Sequence, residues 1–318
     1  MSAERVRRDL VHRANEQEIL VSPPWRTPQG EYGGATVTVD IGPYYRDHPG
    51  NRWLDVLLLI EAGRQAALSA AHEFEGLSDD IAFFFNSIDM EVTDLASLGG
   101  LDGELTLTTT FEELRLRSDG APKQIAYTQR GTDSTGRPLV RTSMTVQGVP
   151  KRRYPELRAY QRDGSAAPTT AALRTGAGRP ADLSTPASVA RTQAANVVLA
   201  GLRAEEGGLG ALLAPDFANA SLFDHDYDHF PAMVLIEAGR QLALAGTGRP
   251  AEHVVTAVRA TFEHFAELDR ETRLVARHDG RWVDVECVQD GLVVTRMSFE
   301  TRRADASAEA GPDGGRPR

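Results

Sequence analysis

Seven residues of this chain occur twice without change, and this repeat constrains the fold more than any other feature. The string LIEAGRQ spans residues 59–65 and returns at residues 235–241, 176 positions later. Similar segments, VHRANEQEILV at residues 11–21 and VARTQAANVVL at residues 189–199, are 178 positions apart. Two nearly equal spacings indicate an internal duplication, and 318 residues are enough for two similar domains.

Both halves carry the same series of predicted elements. A short strand and a loop rich in Pro, Gly, Asp and His precede each repeat, which continues as a buried apolar helix. The segments after each helix alternate between apolar and polar residues, which predicts antiparallel strands with one face on a core. These strands are residues 81–92, 103–117, 123–132 and 137–149 in the first half, and 253–265, 271–279, 281–290 and 292–302 in the second. The fold class is therefore α+β, with one long helix against one curled sheet in each half.

Two segments of low periodicity divide the chain. Residues 154–187 are rich in Ala, Gly, Pro and Thr and are expected to form a linker. Residues 304–318 lack the apolar side chains needed to fold and are expected to be disordered. The first domain then covers residues 1–153, and the second covers residues 188–303.

Composition excludes several classes of protein. The formal net charge of −10 argues against a general nucleic-acid surface, which needs clustered Lys and Arg. No apolar run approaches the roughly 20 residues of a membrane span, and the N-terminus is too charged for the core of a signal peptide, so we expect a cytoplasmic protein with no membrane partner. Cys287 is the only cysteine, which rules out an intramolecular disulfide, and its alternating neighbours favour a packed thiol.

Each repeat places one carboxylate on an apolar helix, and these carboxylates are candidate general bases. Burial raises the pKa of a carboxyl group toward the range that suits a base, which favours Glu61 and Glu237. Arg64 and Arg240 follow three positions later on the same helix face, where a guanidinium fork suits a phosphate group. The alternative is a plain ion pair between two half-buried charges.

Backbone N–H groups at the helix starts are candidate donors to an oxyanion. The starts are expected near residues 54–57 and 230–233, where the helix dipole is positive. Gln65 and Gln241 end the repeats, and hydrogen bonding to a loop backbone is as good an interpretation as substrate contact. Phe83 to Phe85 form an apolar strand run that favours core, with the wall of an acyl tunnel as the alternative.

The string FDHDYDHFPAMVLIEAGRQ, together with FEHFAELD at residues 262–269 and VHRANEQEILV, resembles the AfsA-type A-factor biosynthesis family of tandem hotdog proteins. The resemblance covers nearly the whole chain outside the linker and the tail. It implies a double hotdog fold and transfer of a β-ketoacyl group from an acyl-carrier-protein thioester to the hydroxyl of dihydroxyacetone phosphate, in γ-butyrolactone autoregulator biosynthesis. It implies no cofactor or metal, and it puts the family's proposed catalytic positions on Glu61, Glu237 and Arg240.

Histidines in the loops before the helices complete the candidate site. In related single-domain hotdog dehydratases, a histidine of one copy faces the acid of the other copy's helix. This relation predicts two pairs, His48 with Glu237 and His225 with Glu61.

The two halves differ around the repeat. Where the family tends to have His-Pro followed by an aromatic residue, the first half reads HPGNRWLD, and His12 has Ala190 as its counterpart. We therefore expect Glu237 and Arg240 to be the working pair, with Glu61 second.

Two further motifs carry alternatives. The run DHDYDH at residues 224–229 offers metal ligands, but a capping role for Asp228 and a loop-fixing role for His229 are preferred. The basic stretch KRRYPELRAYQR at residues 151–162 is either the solvated start of the linker or a docking surface for an acidic carrier protein at Arg152 and Arg153.

Two other functions stay open on the sequence. A hotdog thioesterase or β-hydroxyacyl dehydratase needs the same acid and histidine without a phosphate site, and a non-catalytic protein that binds an acyl ligand needs neither. Association of two chains through their sheet edges, as a homodimer, is also left open.

Overall fold

The structure is a computed structural model that describes residues 4–37, 41–47, 53, 55–118, 122–174 and 179–304, with the backbone alone at residues 113 and 114. His48 and residues 305–318 of the expected tail lie outside the described residues.

Five α-helices occur in the described part of the chain, and two of them carry the repeat. They are α1 (Val56–Phe74), α2 (Leu95–Gly99), α3 (Tyr154–Gln161), α4 (Thr170–Arg174) and α5 (Ala232–Gly246). The long helices α1 and α5 are the two buried helices that the repeat predicts. Their starts differ. Asp55 caps α1 by accepting a hydrogen bond of 3.0 Å from the Leu57 N–H, whereas Pro231 precedes α5 and offers no side-chain cap.

Twelve strands of the described residues form one antiparallel sheet. They are β1 (Trp25–Arg26), β2 (Tyr32–Ala35), β3 (Ile81–Val92), β4 (Thr106–Leu116), β5 (Pro122–Thr132), β6 (Pro138–Pro150), β7 (Leu199–Glu205), β8 (Gly208–Leu213), β9 (His253–Phe262), β10 (Arg273–Asp279), β11 (Trp282–Gln289) and β12 (Leu292–Arg303). Their order is β1-β2-β4-β5-β6-β3-β9-β12-β11-β10-β8-β7. The second half therefore repeats the strand order of the first in mirror sequence. The halves join where β3 pairs with β9, with Asp89 opposite Arg259.

Each half wraps its own sheet around its own long helix. Helix α1 packs on β2 and β4, α5 packs on β8 to β12, and the two helices also contact each other. Glycines allow the close approach: a Cβ at Gly63 would lie 2.5 Å from Gln129 Oε1, and one at Gly239 would lie 2.7 Å from the Phe299 ring. The predicted tandem hotdog fold is confirmed.

The segments before the helices are duplicated in conformation as well as in sequence. Short 3₁₀ turns at Arg8–Val11 and Pro186–Val189 both end in a residue with left-handed backbone, His12 with φ of 52° and Ala190 with φ of 54°. Gln65 and Gln241 then fix the following loop, because each side chain donates to one loop carbonyl and accepts from one loop N–H. The loop-bonding role of the two glutamines is confirmed.

The segment between the halves is not the featureless linker expected from its composition. It contains α3 and α4, and α3 packs on the second half through two buried arginines, Arg158 and Arg162. Arg158 donates to both oxygens of Glu267, at 2.9 and 2.7 Å, and Arg162 contacts Glu267 at 2.6 Å and Asp269 at 2.8 Å. These bonds use charged residues that are far apart in sequence, which is why composition alone did not reveal them.

Two expectations from composition, a packed thiol at Cys287 and no membrane-spanning helix, can be compared with the structure. Cys287 is fully buried on β11, and burial raises the pKa of its thiol to about 12, which confirms a packed thiol. Among the described helices, none is both long and apolar enough to cross a bilayer.

Candidate active site

Glu61, whose side chain is fully buried, lies at the centre of an ionic network on α1. Its Oε1 atom accepts hydrogen bonds from Arg13 Nε at 3.0 Å, from Arg64 Nη2 at 2.7 Å and from Gln65 Nε2 at 2.7 Å. Its Oε2 atom accepts from Arg64 Nε at 2.9 Å. Arg64 also donates to the Val11 carbonyl at 3.0 Å, which ties the helix to the loop before it.

The second half builds the same network around Glu237. Arg191 Nε donates at 2.9 Å, Arg240 Nε at 2.8 Å and Arg240 Nη2 at 3.0 Å, and Gln241 completes the set. Arg191 is the counterpart of Arg13, which the sequence comparison aligned without giving either a role. Each glutamate is thus held by two arginines and a glutamine, and the Glu–Arg ion pair named as the alternative is present in both halves.

These networks overturn the reason for choosing the glutamates as bases. Burial by itself would raise the pKa of Glu61, but the charges of Arg13 and Arg64 outweigh it and lower the pKa to about 2. Arg191 and Arg240 likewise lower the pKa of Glu237 against its burial. A carboxylate with a low pKa and its oxygens already occupied is a poor proton acceptor. In this arrangement each glutamate holds its arginines in place, and a catalytic role for either one stays a prediction.

Access from solvent separates the two copies. A cavity of about 890 Å³ lies between the halves and is lined by Arg13, Glu61 and Arg64. The Arg64 side chain keeps 18% of its surface exposed, whereas Arg240 is 1% exposed and does not line this cavity. The expected preference for Glu237 and Arg240 therefore runs against their burial, and the first copy is the one that a substrate can reach.

The loop before each helix crosses to the network of the other half. Asp224 Oδ1, in the second half, lies 3.3 Å from Arg13 Nη1, and its Oδ2 accepts from the Ala14 N–H at 2.9 Å. In the sealed copy, the Asp47 carbonyl accepts from Arg191 Nη1 at 2.8 Å, and Tyr44 lies with its ring 4.5 Å from the same guanidinium. Each loop therefore contacts the network of the other half, but the contacts shown are made by aspartate and arginine and not by the predicted histidine–glutamate pairs.

His225 reaches Glu61 only through this chain of contacts. Its Nδ1 atom is 2.7 Å from Asp224 Oδ1, and Asp224 in turn meets Arg13, which holds Glu61. Both His225 and Glu61 line the large cavity. His48 lies outside the described residues, so the other predicted pair, His48 with Glu237, stays a prediction.

The start of α5 opens into the cavity, and the start of α1 does not. Pro231, Ala232 and Met233 line the cavity, and the N–H groups of Ala232 and Met233 belong to the first turn, which has no intrahelical acceptor for them. At the start of α1, Asp55 occupies the Leu57 N–H. The positive end of α5 is therefore the expected oxyanion site that stays available.

Aromatic side chains form one wall of the cavity and continue into a smaller chamber. Phe83, Phe84 and Phe85 line both, so they are partly exposed to these spaces rather than wholly packed in a core. The chamber has a volume of about 90 Å³ and lies against α1. Its other lining residues are His12, Arg64, Ala67, Leu68, Ala71, Leu77, Phe111, Ile125, Tyr127 and Val146.

The aspartates of DHDYDH bind protein donors, and none caps α5. Asp228 accepts from Arg158 Nε at 2.9 Å and from the Tyr154 hydroxyl, and its Oδ1 is 2.7 Å from His229 Nδ1. The capping role expected for Asp228 is wrong, because the helix begins after Pro231 instead. The carboxylate joins α3 to the loop.

His12, whose counterpart in the second half is Ala190, lines the cavity. Its Nε2 atom is 3.1 Å from His72 Nε2, and His72 Nδ1 is 2.9 Å from the Leu77 carbonyl. Burial, with the nearby charge of Arg64, lowers the pKa of His12 to about 4. Asp79 adds a third potential metal ligand, with its Oδ1 atom 3.6 Å from His72 Nδ1, and one ligand atom from each of the three residues lies within 4.8 Å of the others.

Known proteins resemble this chain over most of its length. The sequence profile of AfsA, described as the A-factor biosynthesis hotdog domain, matches residues 1–150 and 176–304. A 2-oxo-3-(phosphooxy)propyl 3-oxoalkanoate synthase from Streptomyces virginiae is 30% identical over 312 residues, which cover 94% of this chain and 98% of that protein. A protein of the same name from Streptomyces griseus is 30% identical over 264 residues, which cover 82% of this chain and 81% of its own length.

Solved structures with a similar arrangement are more distant in sequence. The dehydratase domain from the CurK module of the curacin polyketide synthase is 10% identical with a TM-score of 0.49, over 91% of this chain and 99% of that chain. The 12:0-ACP thioesterase from Umbellularia californica is 11% identical with a TM-score of 0.45, over 78% of this chain and 90% of that chain.

Proposed function

Because the chain belongs to the AfsA family of A-factor biosynthesis hotdog proteins, we propose that it is an acyltransferase of the 2-oxo-3-(phosphooxy)propyl 3-oxoalkanoate synthase type. It moves a β-ketoacyl group from an acyl-carrier-protein thioester to the hydroxyl of dihydroxyacetone phosphate, and the ester formed is a precursor of a γ-butyrolactone autoregulator. The observation that carries this proposal is the single large cavity described between the halves, into which an arginine cluster, an uncapped helix start and an aromatic wall all open.

The arginine end of the cavity is the site for the phosphate. Arg64 uses its Nε and Nη2 atoms on Glu61 and Val11, which fixes the plane of the guanidinium while its edge faces the cavity. Lys151 also lines this cavity, and its charge acts on His12 together with that of Arg64. A dianionic phosphate gains charge-assisted hydrogen bonds from such a pair.

The aromatic end receives the acyl donor. Phe83 to Phe85 and the chamber behind them give an apolar surface for a carbon chain, with small side chains of α1, Ala67 and Ala71, at its wall. The thioester oxygen then lies at the start of α5, where the N–H groups of Ala232 and Met233 stabilise the negative charge that develops during transfer.

Helix α3 provides the surface on which a carrier protein docks. Leu157 and Tyr160 line the mouth of the cavity and are exposed, Tyr160 by 85% of its surface. The basic residues Lys151, Arg152 and Arg153 come directly before this helix and are exposed. An apolar patch beside positive charge suits an acidic partner that must deliver a thioester into the cavity.

Pairing of the two halves within one chain makes this site complete without a second copy. The sheet pairing of β3 with β9 and the crossing of Asp224 to Arg13 both occur inside the chain. Formation of a homodimer stays a prediction.

The test is mass spectrometry of a reaction that contains β-ketoacyl carrier protein, dihydroxyacetone phosphate and the protein. We expect a phosphorylated ester and one equivalent of free carrier-protein thiol. A reaction that released free β-keto acid at the same rate with and without the acceptor would instead identify a thioesterase.

A further inference from the structure

Two aspartate–histidine pairs lie in the loop before α5, and both histidines line the large cavity. Asp224 Oδ1 is 2.7 Å from His225 Nδ1, and Asp228 Oδ1 is 2.7 Å from His229 Nδ1. An ionised carboxylate accepts the Nδ1 proton, so each neutral imidazole keeps its lone pair on Nε2. The loop therefore contains two candidate general bases in different surroundings.

His229 is the more firmly held of the two. Its partner Asp228 also accepts from Arg158 Nε at 2.9 Å and from the Tyr154 hydroxyl. Burial raises the pKa of the Asp228 carboxyl, but the hydrogen bonds from His229 and Tyr154 and the charge of Arg158 outweigh it and lower that pKa. The Phe265 ring stands edge-on to the imidazole at 4.8 Å, and 19% of the His229 side chain is exposed. The hydrogen bond at Nδ1 and the packing against Phe265 therefore fix the orientation of the His229 ring.

The position of His229 brings it to the oxyanion site. It precedes Pro231 by two residues, and the loop is pinned between them because the Phe230 N–H donates to the Ala266 carbonyl at 2.8 Å. The uncapped N–H groups at the start of α5 follow at once. A base at this point is beside the carbon that an acceptor hydroxyl must attack.

Glu61 and His12, two other candidate bases in the cavity, are engaged elsewhere, whereas Glu263 and His264 also line the cavity and are exposed. Glu61 has its oxygens occupied by two arginines and a glutamine, and His12 has its Nε2 atom on His72. His225 is 46% exposed, and its partner Asp224 belongs to the Arg13 network at the phosphate end.

The loop of the first half, which contacts the sealed network of Glu237 and Arg191, has a different residue at this position. When the two repeats are aligned, Trp53 stands at the position of His229, and Asp55, which caps α1, stands at the position of Pro231. Trp53 is 1% exposed. The histidine and the uncapped helix start therefore occur together in one half and are replaced together in the other.

From this geometry, and resting on the function proposed above, we propose that His229 is the general base of acyl transfer and that Asp228 is its positioning residue. His229 Nε2 takes the proton of the acceptor hydroxyl while the oxygen forms a bond to the thioester carbon. The tetrahedral oxyanion collapses, the carbon–sulfur bond breaks, and the imidazolium returns its proton to the leaving thiolate. The products are the ester and the free carrier-protein thiol, and His229 ends neutral.

The experiment compares His229→Gln with His225→Gln, two equivalent changes in one loop, in the full-length protein with β-ketoacyl carrier protein and dihydroxyacetone phosphate. Loss of a general base lowers kcat by about 100-fold or more. We expect that loss for His229→Gln with the KM for dihydroxyacetone phosphate changed by less than about threefold, because hydroxyl activation is separate from phosphate binding. His225→Gln is expected to raise KM more than it lowers kcat.

The positioning role of Asp228 has its own readout. Asp228→Asn removes the negative charge that favours the imidazolium, so the acid limb of the kcat/KM profile moves to lower pH, and Tyr154→Phe, which keeps that charge, moves it less. A merely structural role would lower activity without moving the limb.

Three results overturn the assignment. The first is a His229→Gln protein that keeps kcat within about threefold of wild type, and the second is loss of kcat in His225→Gln alone. In both of these the wild-type protein still makes the ester, so the proposed function stands. A wild-type protein that makes no phosphorylated ester would overturn the function and this assignment with it.

Discussion

The two copies of the repeat allow one side-chain change to be made twice in different surroundings. Arg64→Met and Arg240→Met both remove a guanidinium that lies three residues beyond a buried glutamate. The first faces the cavity and the second is sealed. We expect the first change to affect activity most and the second to affect stability most.

The expected loss of unfolding free energy in each variant depends on the hydrogen-bond partners that its glutamate keeps. Removing one partner from a buried ion pair costs about 3–5 kcal/mol, which is the loss expected for Arg240→Met because Glu237 then keeps only Arg191 and Gln241 in a place closed to solvent. At Arg64 the cavity admits water, and Glu61 keeps Arg13 and Gln65 at 2.8 and 2.7 Å. The expected loss there is about 1–2 kcal/mol.

The expected losses of activity have the opposite order, with the larger loss in Arg64→Met. A hydrogen bond to a charged group contributes about 1.5–3 kcal/mol, so Arg64→Met should lower kcat/KM for dihydroxyacetone phosphate by about 10- to 150-fold. Arg240→Met should stay within about threefold of wild type at a temperature where it is folded.

Urea denaturation followed by linear extrapolation gives the two free energies of unfolding, and steady-state kinetics with saturating acyl carrier protein gives kcat/KM. The reasoning is refuted if Arg240→Met, while fully folded, loses the activity that Arg64→Met keeps. The second half would then hold the working site. Equal destabilisation by both changes would refute only the argument that solvent access lowers the stability cost at Arg64.

Three further outcomes are expected. The folded pKa of Glu61, about 2, lies below its ordinary value of 4.5. The stability that this carboxylate contributes is therefore present above about pH 4.5 and is lost as the pH falls toward 2. Glu61→Gln should flatten the fall in the free energy of unfolding over this pH range, measured by urea melts. Charge reversal at Arg152 and Arg153 should raise KM for the carrier protein and leave turnover of a small-molecule thioester unchanged, with equal KM values sinking the docking surface. Ala67→Leu should fill part of the small chamber and shorten the accepted acyl chain in product mass spectra, whereas Ala243→Leu, its fully buried counterpart on α5, should lower stability without changing chain length.

Periodicity and repetition predicted most of the fold. The strand expected at residues 81–92 is found as Ile81–Val92, and the other seven expected strands differ from the observed ones only near their ends. One short strand was expected before each helix, but each half has two: Trp25–Arg26 with Tyr32–Ala35 in the first, and Leu199–Glu205 with Gly208–Leu213 in the second. These short segments lack the alternation that marked the other strands. Alternation of apolar and polar residues was therefore enough to predict the strands that have one apolar face.

The candidate site was less accessible to sequence reasoning, because its properties depend on contacts between distant residues. Arg13 stands 48 positions before Glu61, and nothing in the repeat indicates that its charge reverses the effect of burial on the glutamate pKa. The buried Arg158 and Arg162 were placed in a linker, because Glu267, which holds both, is more than 100 positions away. One signal was available: both loops contain an aspartate–histidine pair, but only the second-half loop has a further pair, Asp228 and His229, next to the helix start.

Fusion of the two halves into one chain removes a constraint that identical subunits share. In a symmetric dimer of one polypeptide, every substitution appears at both sites, so a tryptophan that closed one would close the other. Here Trp53 is buried at the position where the other half has His229, which lines the cavity, and the covalent link keeps the two halves together at any protein concentration. One ancestral site is therefore free to become part of the core, and the other is free to specialise.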